Sequence, residues 1–484
     1  MRDGFVGHVL KLVTGAVVAQ AITLVTAPIL SRLFPPEAFG TCSVWVAIIS
    51  LFSVIVCLRY EYAIMLPEQD GDAINLLMGS LAIAFVFSGV VGFLFWVEQE
   101  SIIRMLKSPE VGPYLWIVPG ALFIQGLFQS LNAWNSRRKY FGRLSVARVS
   151  ASITTSATPM VMSAVGQANA GGLIWSWFAG TIIFTLALYV QIGREVYQIL
   201  RESLRFNRIL FGLRRYWKFP VINVWGEFMN NLSWFLPTLM LSAFFSQTIV
   251  GYYALANRVV LLPSILVGNA VARVFFQRIS VIRDDQKILS QTVQMVFQVL
   301  VFCGFLPSLI LTLAGQELFS VVFGLNWSEA GRYAQILGPW LFFLFIASPL
   351  SALFIALERQ DLALIVHLSI FLTRLFALLV GGLLNNIDLT LWLWTGTGVL
   401  VYGGMAFWAL NLAGVPYSFA FQILFRSGQY SIPIFLLLLL SKVFSPGRHW
   451  LVLIVSVISL ALYCTIIIIK EGKLLRSFLT FPDQ

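Results

Sequence analysis

Fourteen apolar runs, each long enough to cross a bilayer, fix what this chain of 484 residues can fold into. A spanning helix needs about 20 predominantly apolar residues. Such runs fall at about 9–30, 41–66, 75–97, 111–133, 145–166 and 171–193. They resume at about 219–245, 249–275, 290–313, 332–357, 361–383 and 387–411, with a last pair near 430–446 and 449–469. Hydrocarbon offers no partner for a backbone N–H or C=O, so each run must satisfy its own hydrogen bonds as a helix. Composition agrees, with 59% of the chain hydrophobic and only 11% charged, where a soluble chain carries about 25% charge. Disorder is excluded by the same numbers, and no connector is long enough to form a soluble domain. The expected fold class is an all-α polytopic membrane protein of about 14 transmembrane helices.

The 32 Lys and Arg exceed the 21 Asp and Glu by 11. In a soluble chain that excess would suggest nucleic acid; here it reads as topology, because cytoplasmic loops collect Lys and Arg, and no nucleic-acid partner is expected. With the N-terminus inside, 22 basic residues fall in inside segments and six outside, and Arg59, Arg148, Arg258 and Arg374 lie within spans. One missed span would reverse every later loop, so this asymmetry supports fourteen spans with both termini in the cytoplasm. Met1 to Gly4 show no cleavable signal pattern, so the first run is expected to be retained as a span. Cys42, Cys57, Cys303 and Cys464 lie unpaired in apolar stretches and read as small buried residues. His8, His367 and His449 form no ligand constellation, so no metal is expected.

The organisation looks duplicated. Pro28, a polar turn and Gly40 close the first span and open the second; Pro237, a polar turn and Gly251 do the same for the seventh and eighth. A basic connector from Arg194 to Lys218 separates the copies. The expected division is an N-terminal lobe at 1–205, a C-terminal lobe at 206–411 and an appended helix pair with a tail at 412–484. Transporters are often built from such repeats.

Ionisable residues inside spans are the sharpest functional signal, since each costs about 2.5–3.5 kcal/mol at a helix centre. Arg59-Tyr60-Glu61 interrupts the second apolar run. Glu227, Asn230, Asn231 and Trp234 follow helical spacing and share one face. Tyr252, Tyr253, Asn257 and Arg258 lie within two turns of the eighth span, and His367 and Arg374 lie seven apart in the eleventh. Each set has a structural alternative. Arg32 and Arg148 lie close enough to a span end to snorkel, Arg59 and Glu61 can pair with each other, Glu227 with its asparagines can serve as interhelical glue, and Arg374 with His367 can form a buried structural site. As binding groups, the arginines Arg32, Arg59, Arg258 and Arg374 suit an anion, because guanidinium stays charged when desolvated and its planar fork bonds two phosphate oxygens. Tyr60, Tyr253 and the neighbouring aromatics are of the kind that stack on sugar rings, although aromatics are also ordinary span filler at 14% of the chain, and Asn230, Asn231 and Asn257 add hydrogen-bonding groups.

Residues 31–40, Ser-Arg-Leu-Phe-Pro-Pro-Glu-Ala-Phe-Gly, and 58–67, Leu-Arg-Tyr-Glu-Tyr-Ala-Ile-Met-Leu-Pro, resemble the opening of polysaccharide-transport flippases. Residues 251–259, Gly-Tyr-Tyr-Ala-Leu-Ala-Asn-Arg-Val, followed by Pro263 and by 274–278, Val-Phe-Phe-Gln-Arg, resemble the same family's eighth-span segment. The family is the O-antigen and exopolysaccharide branch of the multidrug, oligosaccharidyl-lipid and polysaccharide exporter superfamily. The resemblance implies two lobes of six helices around a central cavity, lined mainly by spans one, two, seven and eight. It implies a non-enzymatic flippase that moves an undecaprenyl-pyrophosphate-linked oligosaccharide across the bacterial inner membrane by alternating access. Arg59 and Glu61 then carry the family's Arg-Tyr-Glu element and Arg258 its eighth-span arginine; Glu227 is inferred from the polar stripe alone. No cofactor is expected, although Glu227 or Glu61 is placed to couple the cycle to a proton or sodium gradient. Expected partners are the lipid-linked oligosaccharide, membrane lipids, and a polysaccharide polymerase with its chain-length regulator. A lipid II or multidrug exporter of the same superfamily is the alternative. A polymerase or ligase is disfavoured by the short outside connectors, which hold no clustered carboxylates.

Overall fold

The computed structural model describes residues 5–444 and 447–479. Met1 to Gly4, on which the reading of a retained N-terminus partly rests, and the tail from Thr480 lie outside the described residues. Every regular element among the described residues is a helix. Twelve of these helices are long and apolar enough to span a membrane. The two remaining expected spans, 145–166 and 219–245, are also helical, as Phe141–Ala164 and Val224–Phe244. Their lower hydropathy has a visible origin: the first carries Arg148 among many serines and threonines, the second Glu227, Asn230 and Asn231. Contacts group the chain into two compact units, Met1–Gly251 and Tyr252–Gln484.

In the first unit, helix Pro36–Ser53 begins with proline at its first position and Glu37 in its first turn. Proline lacks only an N–H that has no partner there, and a carboxylate complements the helix dipole. Helix Phe5–Leu33 runs beside Phe141–Ala164 through small and hydroxylated residues. The Thr26 hydroxyl bonds that of Ser156 at 3.1 Å, and Ser152 donates to the Ala19 carbonyl at 2.7 Å. The serines and threonines that lower the hydropathy of the second helix are thus the groups that join the pair. Gly40 and Gly251, the two glycines singled out by the repeat, meet face to face. A Cβ on Gly40 would lie 1.8 Å from the Gln247 carbonyl oxygen, and one on Gly251 1.8 Å from that of Pro36. Only two residues without side chains permit this approach.

The second unit is organised on helix Gln286–Val322, at 37 residues about 55 Å long. Helix Ser328–Leu350 crosses it at Gly315 and Gly331, each of which leaves no room for a Cβ beside the other's backbone. Helices Gln360–Leu383 and Ile387–Leu412 complete this bundle, with Thr395 donating to the Ile336 carbonyl at 2.8 Å. The last pair, Tyr417–Phe444 and His449–Leu479, also rests on helix Gln286–Val322. Lys442 binds Glu317 at 2.8 Å and the Leu313 carbonyl at 2.5 Å, while the Ser427 and Tyr463 hydroxyls meet at 3.0 Å.

Candidate functional site

The helix that begins at Pro36 does not run to the end of its apolar stretch. After Ser53 it loosens into turns, and Leu58 and Arg59 take left-handed φ values of 47° and 62° before a short helix, Tyr60–Ala63. For residues with a Cβ this conformation costs roughly 1–2 kcal/mol each, so the surroundings must hold it. They do so through the guanidinium of Arg59. It faces Glu61 at 3.6 Å and Glu227 at 3.3 Å, donates to the Asn223 side-chain oxygen at 3.4 Å, and lies 4.5 Å from the centre of the Tyr62 ring. Arg59 and Glu61 are buried, whereas Glu227 is partly exposed. One cation therefore answers two carboxylates. The second oxygen of Glu61 is buried without a hydrogen-bond partner among the described residues, a costly state for a carboxylate.

The segment after this break is also held. Arg137 donates to the carbonyls of Pro67 and Glu68 at 2.5 and 3.2 Å and to Asp70 at 3.0 Å, and Arg138 joins Asp70 to Glu195. Tyr60 is buried, its hydroxyl donating to the Leu213 carbonyl at 2.9 Å. Along helix Val224–Phe244, Asn231 donates to the Glu227 backbone carbonyl at 3.1 Å, while Asn230 and Trp234 are exposed. The polar stripe is therefore divided: Glu227 reaches Arg59, and Asn230 is exposed.

A second polar cluster lies in the second unit. Arg374 is buried 5.1 Å from the Trp394 ring centre and bonds the Tyr402 hydroxyl. Tyr253 also packs against Trp394, with ring centres 5.6 Å apart, and Trp340 does so at 5.9 Å. The cleft beside Arg374 measures about 10 Å³, room for a single water. His367 is exposed although it shares a helix face by spacing with buried Arg374. Tyr252 stacks edge-on against Trp327 and Tyr333. Arg32 and Arg258 are exposed and Asn257 is half-buried. The sequence-selected residues thus gather as Arg59, Glu61 and Glu227 in one unit and as Tyr253 and Arg374 in the other. Asn223, Tyr62 and the Arg137–Asp70 clamp were not selected, because nothing in their spacing marks a contact made across the fold.

Helices of spanning length that enclose ion-paired and aromatic-capped arginines define a multi-pass membrane protein. The chain belongs to the family described as Polysaccharide biosynthesis protein, whose model matches residues 29–332, more than half of the chain. That match contains both motif stretches, 31–67 and 251–278, and bears out the resemblance they carry. A curated relative, the succinoglycan biosynthesis transport protein ExoT of Rhizobium meliloti (strain 1021), is 25% identical over 315 residues, 64% of this chain. The chain spans 60% of that relative's length. Among solved structures, the lipid II flippase MurJ in an inward closed conformation is 12% identical, covers 96% of this chain and 100% of its own, and aligns with a TM-score of 0.75. An outward-facing multidrug resistance MATE family transporter of the MOP superfamily is also 12% identical, covers 84% and 95%, and aligns at 0.50. At these identities the solved structures show the fold alone: an all-helical architecture like that of these two membrane proteins.

Proposed function

We propose that this protein is a flippase that moves an undecaprenyl-pyrophosphate-linked oligosaccharide, an O-antigen or exopolysaccharide repeat unit, across the bacterial inner membrane by alternating access. The observation that carries the reading is Arg59, fixed on a strained backbone break inside an apolar stretch and held there by Glu61 and Glu227. A diphosphate offers a guanidinium the same paired oxygens that a carboxylate does. In this reading the two carboxylates are placeholders that yield Arg59 to the cargo. Arg32, Asn230 and Asn231 are assigned to the cargo in the first unit, and Tyr253, Asn257, Arg258 and Arg374 in the second. Cargo binding shifts the balance of states only if these contacts differ between them. Membership of a polysaccharide biosynthesis family and the relative named as a succinoglycan transport protein support the substrate class. The MurJ fold match favours, as second reading, a lipid II-type cargo, which carries the same diphosphate on a prenyl chain. Both readings place the termini in the cytoplasm; a polymerase and a chain-length regulator would receive the flipped unit.

Deleting the gene and asking which undecaprenyl-linked glycan accumulates on the cytoplasmic side tests the proposal. Accumulation of a peptide-bearing lipid instead of an oligosaccharide repeat would assign the second reading. Arg258→Ala, exposed and without an ion pair among the described residues, is expected to abolish surface glycan while the protein stays in the membrane at its normal amount. Normal glycan in that strain would remove Arg258 from the site.

We further assign gradient coupling to the carboxylates facing Arg59. Protonating either would weaken its hold on the guanidinium, so proton uptake and cargo binding would favour the same state. Glu61→Gln and Glu227→Gln, assayed in vesicles with an imposed proton or sodium gradient, are expected to leave transport that no longer responds to the gradient in at least one variant. Full gradient dependence in both would place coupling elsewhere.

A further inference from the structure

We infer that the connector helix Phe206–Arg215 is a binding site for the anionic headgroups of the membrane surface. The helix has ten residues and is about 15 Å long, half of a bilayer's hydrocarbon thickness, so it cannot be a span. Its outward side is nevertheless apolar as well as basic. Phe206, Leu210, Phe211 and, just beyond the helix, Trp217 are exposed, beside the exposed guanidinium groups of Arg214 and Arg215. On the helix, Phe206, Leu210 and Arg214 follow one line at four-residue steps, and Phe211 and Arg215 follow the next. Aromatic rings interleaved with guanidinium groups have no favourable place in bulk water. They match the headgroup boundary, where rings enter the acyl edge and arginines meet phosphates.

The helix is held firmly, which separates it from a loose linker. Its inner side, Ile209 and Leu213, packs on Gly79 of helix Asp70–Val97, and Gly212 fits over Leu76. The buried amide of Asn75 fixes the chain entering the helix, donating to the Ser203 carbonyl at 2.9 Å and accepting from the Arg205 N–H at 3.1 Å. The far end is tied to the Arg59-Tyr60-Glu61 element by the Tyr60 hydroxyl on the Leu213 carbonyl. Of the basic groups on the helix, Arg208 is engaged with Asp72 at 3.6 Å; Arg214 and Arg215 make no ion pair among the described residues. Arg215 lies 5.6 Å from the centre of the Tyr216 ring, and both guanidinium groups stay exposed, open to an anion from outside the chain. The occupant is the anionic lipid surface rather than a soluble partner, because the exposed rings need an apolar phase that headgroups alone border.

The test counts lipids and requires no transport, so it stands or falls independently of the flippase reading. The full-length protein is washed in detergent with an equimolar mixture of phosphatidylglycerol and phosphatidylcholine, and the retained lipids are counted by mass spectrometry. The wild-type protein is expected to retain phosphatidylglycerol over phosphatidylcholine at a ratio about tenfold or more above that of the wash, with the excess fading at high salt. With each surface arginine worth about a fivefold preference for anionic lipid, the R214E/R215E variant is expected to lose about tenfold or more and to return to the wash ratio. The R214K/R215K variant, which keeps the charge, is expected to retain the excess and shows that the first result is not a folding defect. No excess in the wild type, the same excess in R214E/R215E, or retention of a soluble protein in place of lipid would overturn the assignment.

Discussion

Gly40→Ala is expected to strip most of the folded protein from the membrane, although the change adds a single methyl group. That methyl would sit 1.8 Å from the Gln247 carbonyl oxygen, on backbone that no rotamer change can move aside. Over-packing ordinarily costs about 1–3 kcal/mol when side chains can shift; here helix Pro36–Ser53 itself must move away from the chain at Gln247 and Gly251. Gly251→Ala is expected to do the same through the Pro36 carbonyl. Because both changes open one crossing, the double variant is expected to lose less than the sum of the two singles. Gly89→Ala, on helix Asp70–Val97 with nothing within 4 Å of its Cβ, serves as the neutral control. Protein amount in membranes and thermal midpoint in detergent read the result. A Gly40→Ala protein as abundant and as stable as Gly89→Ala would contradict the crossing.

Arg59→Ala is expected to have the second large effect, on stability and function together. Removing the guanidinium leaves Glu61 buried opposite nothing, and breaking a buried ion pair in this one-sided way costs about 3–5 kcal/mol. The left-handed backbone at Leu58 and Arg59 would lose the contacts to Glu227 and Asn223 that hold it. Stability and function separate in the double variant Arg59→Gln with Glu61→Gln. With both charges removed, the thermal midpoint is expected to recover most of its loss, while surface glycan stays absent because no cation remains for the cargo. Surface glycan restored along with stability would make Arg59 a structural residue only.

How much of this was legible in the sequence differs from feature to feature. Spans announce themselves because hydrocarbon leaves the chain one solution per apolar run, so even Phe141–Ala164 and Val224–Phe244, weak by hydropathy, were located. Gly40 and Gly251 stood out as equivalent positions in a repeat, but their mutual contact is tertiary and leaves no local trace. Arg59 and Glu61 were marked by charge in an apolar stretch. The break at Leu58 and Arg59 was not, since neither residue is glycine and positive φ in other residues has no strong local signature. Arg374 was found by the same charge argument, whereas its cap of Trp394 and Tyr402 comes from the next helix and was invisible to spacing within its own. His367 shows the limit of a face argument: it shares the register of Arg374 yet is exposed, because neighbouring helices cover only part of that face.

The central claim is that this chain itself carries a diphosphate-linked sugar across a bilayer. Its most direct test is the purified protein reconstituted into liposomes with an undecaprenyl-diphosphate-linked oligosaccharide bearing a fluorophore on its terminal sugar, quenched from outside by a membrane-impermeant reductant. In protein-free vesicles, and with Arg59→Gln paired to Glu61→Gln, only the outer-leaflet share should be quenched. With the wild-type protein nearly all of the signal is expected to disappear as inner-leaflet lipid is brought out. Wild-type vesicles that protect as much fluorophore as protein-free ones, from a protein shown to be folded, would contradict the account.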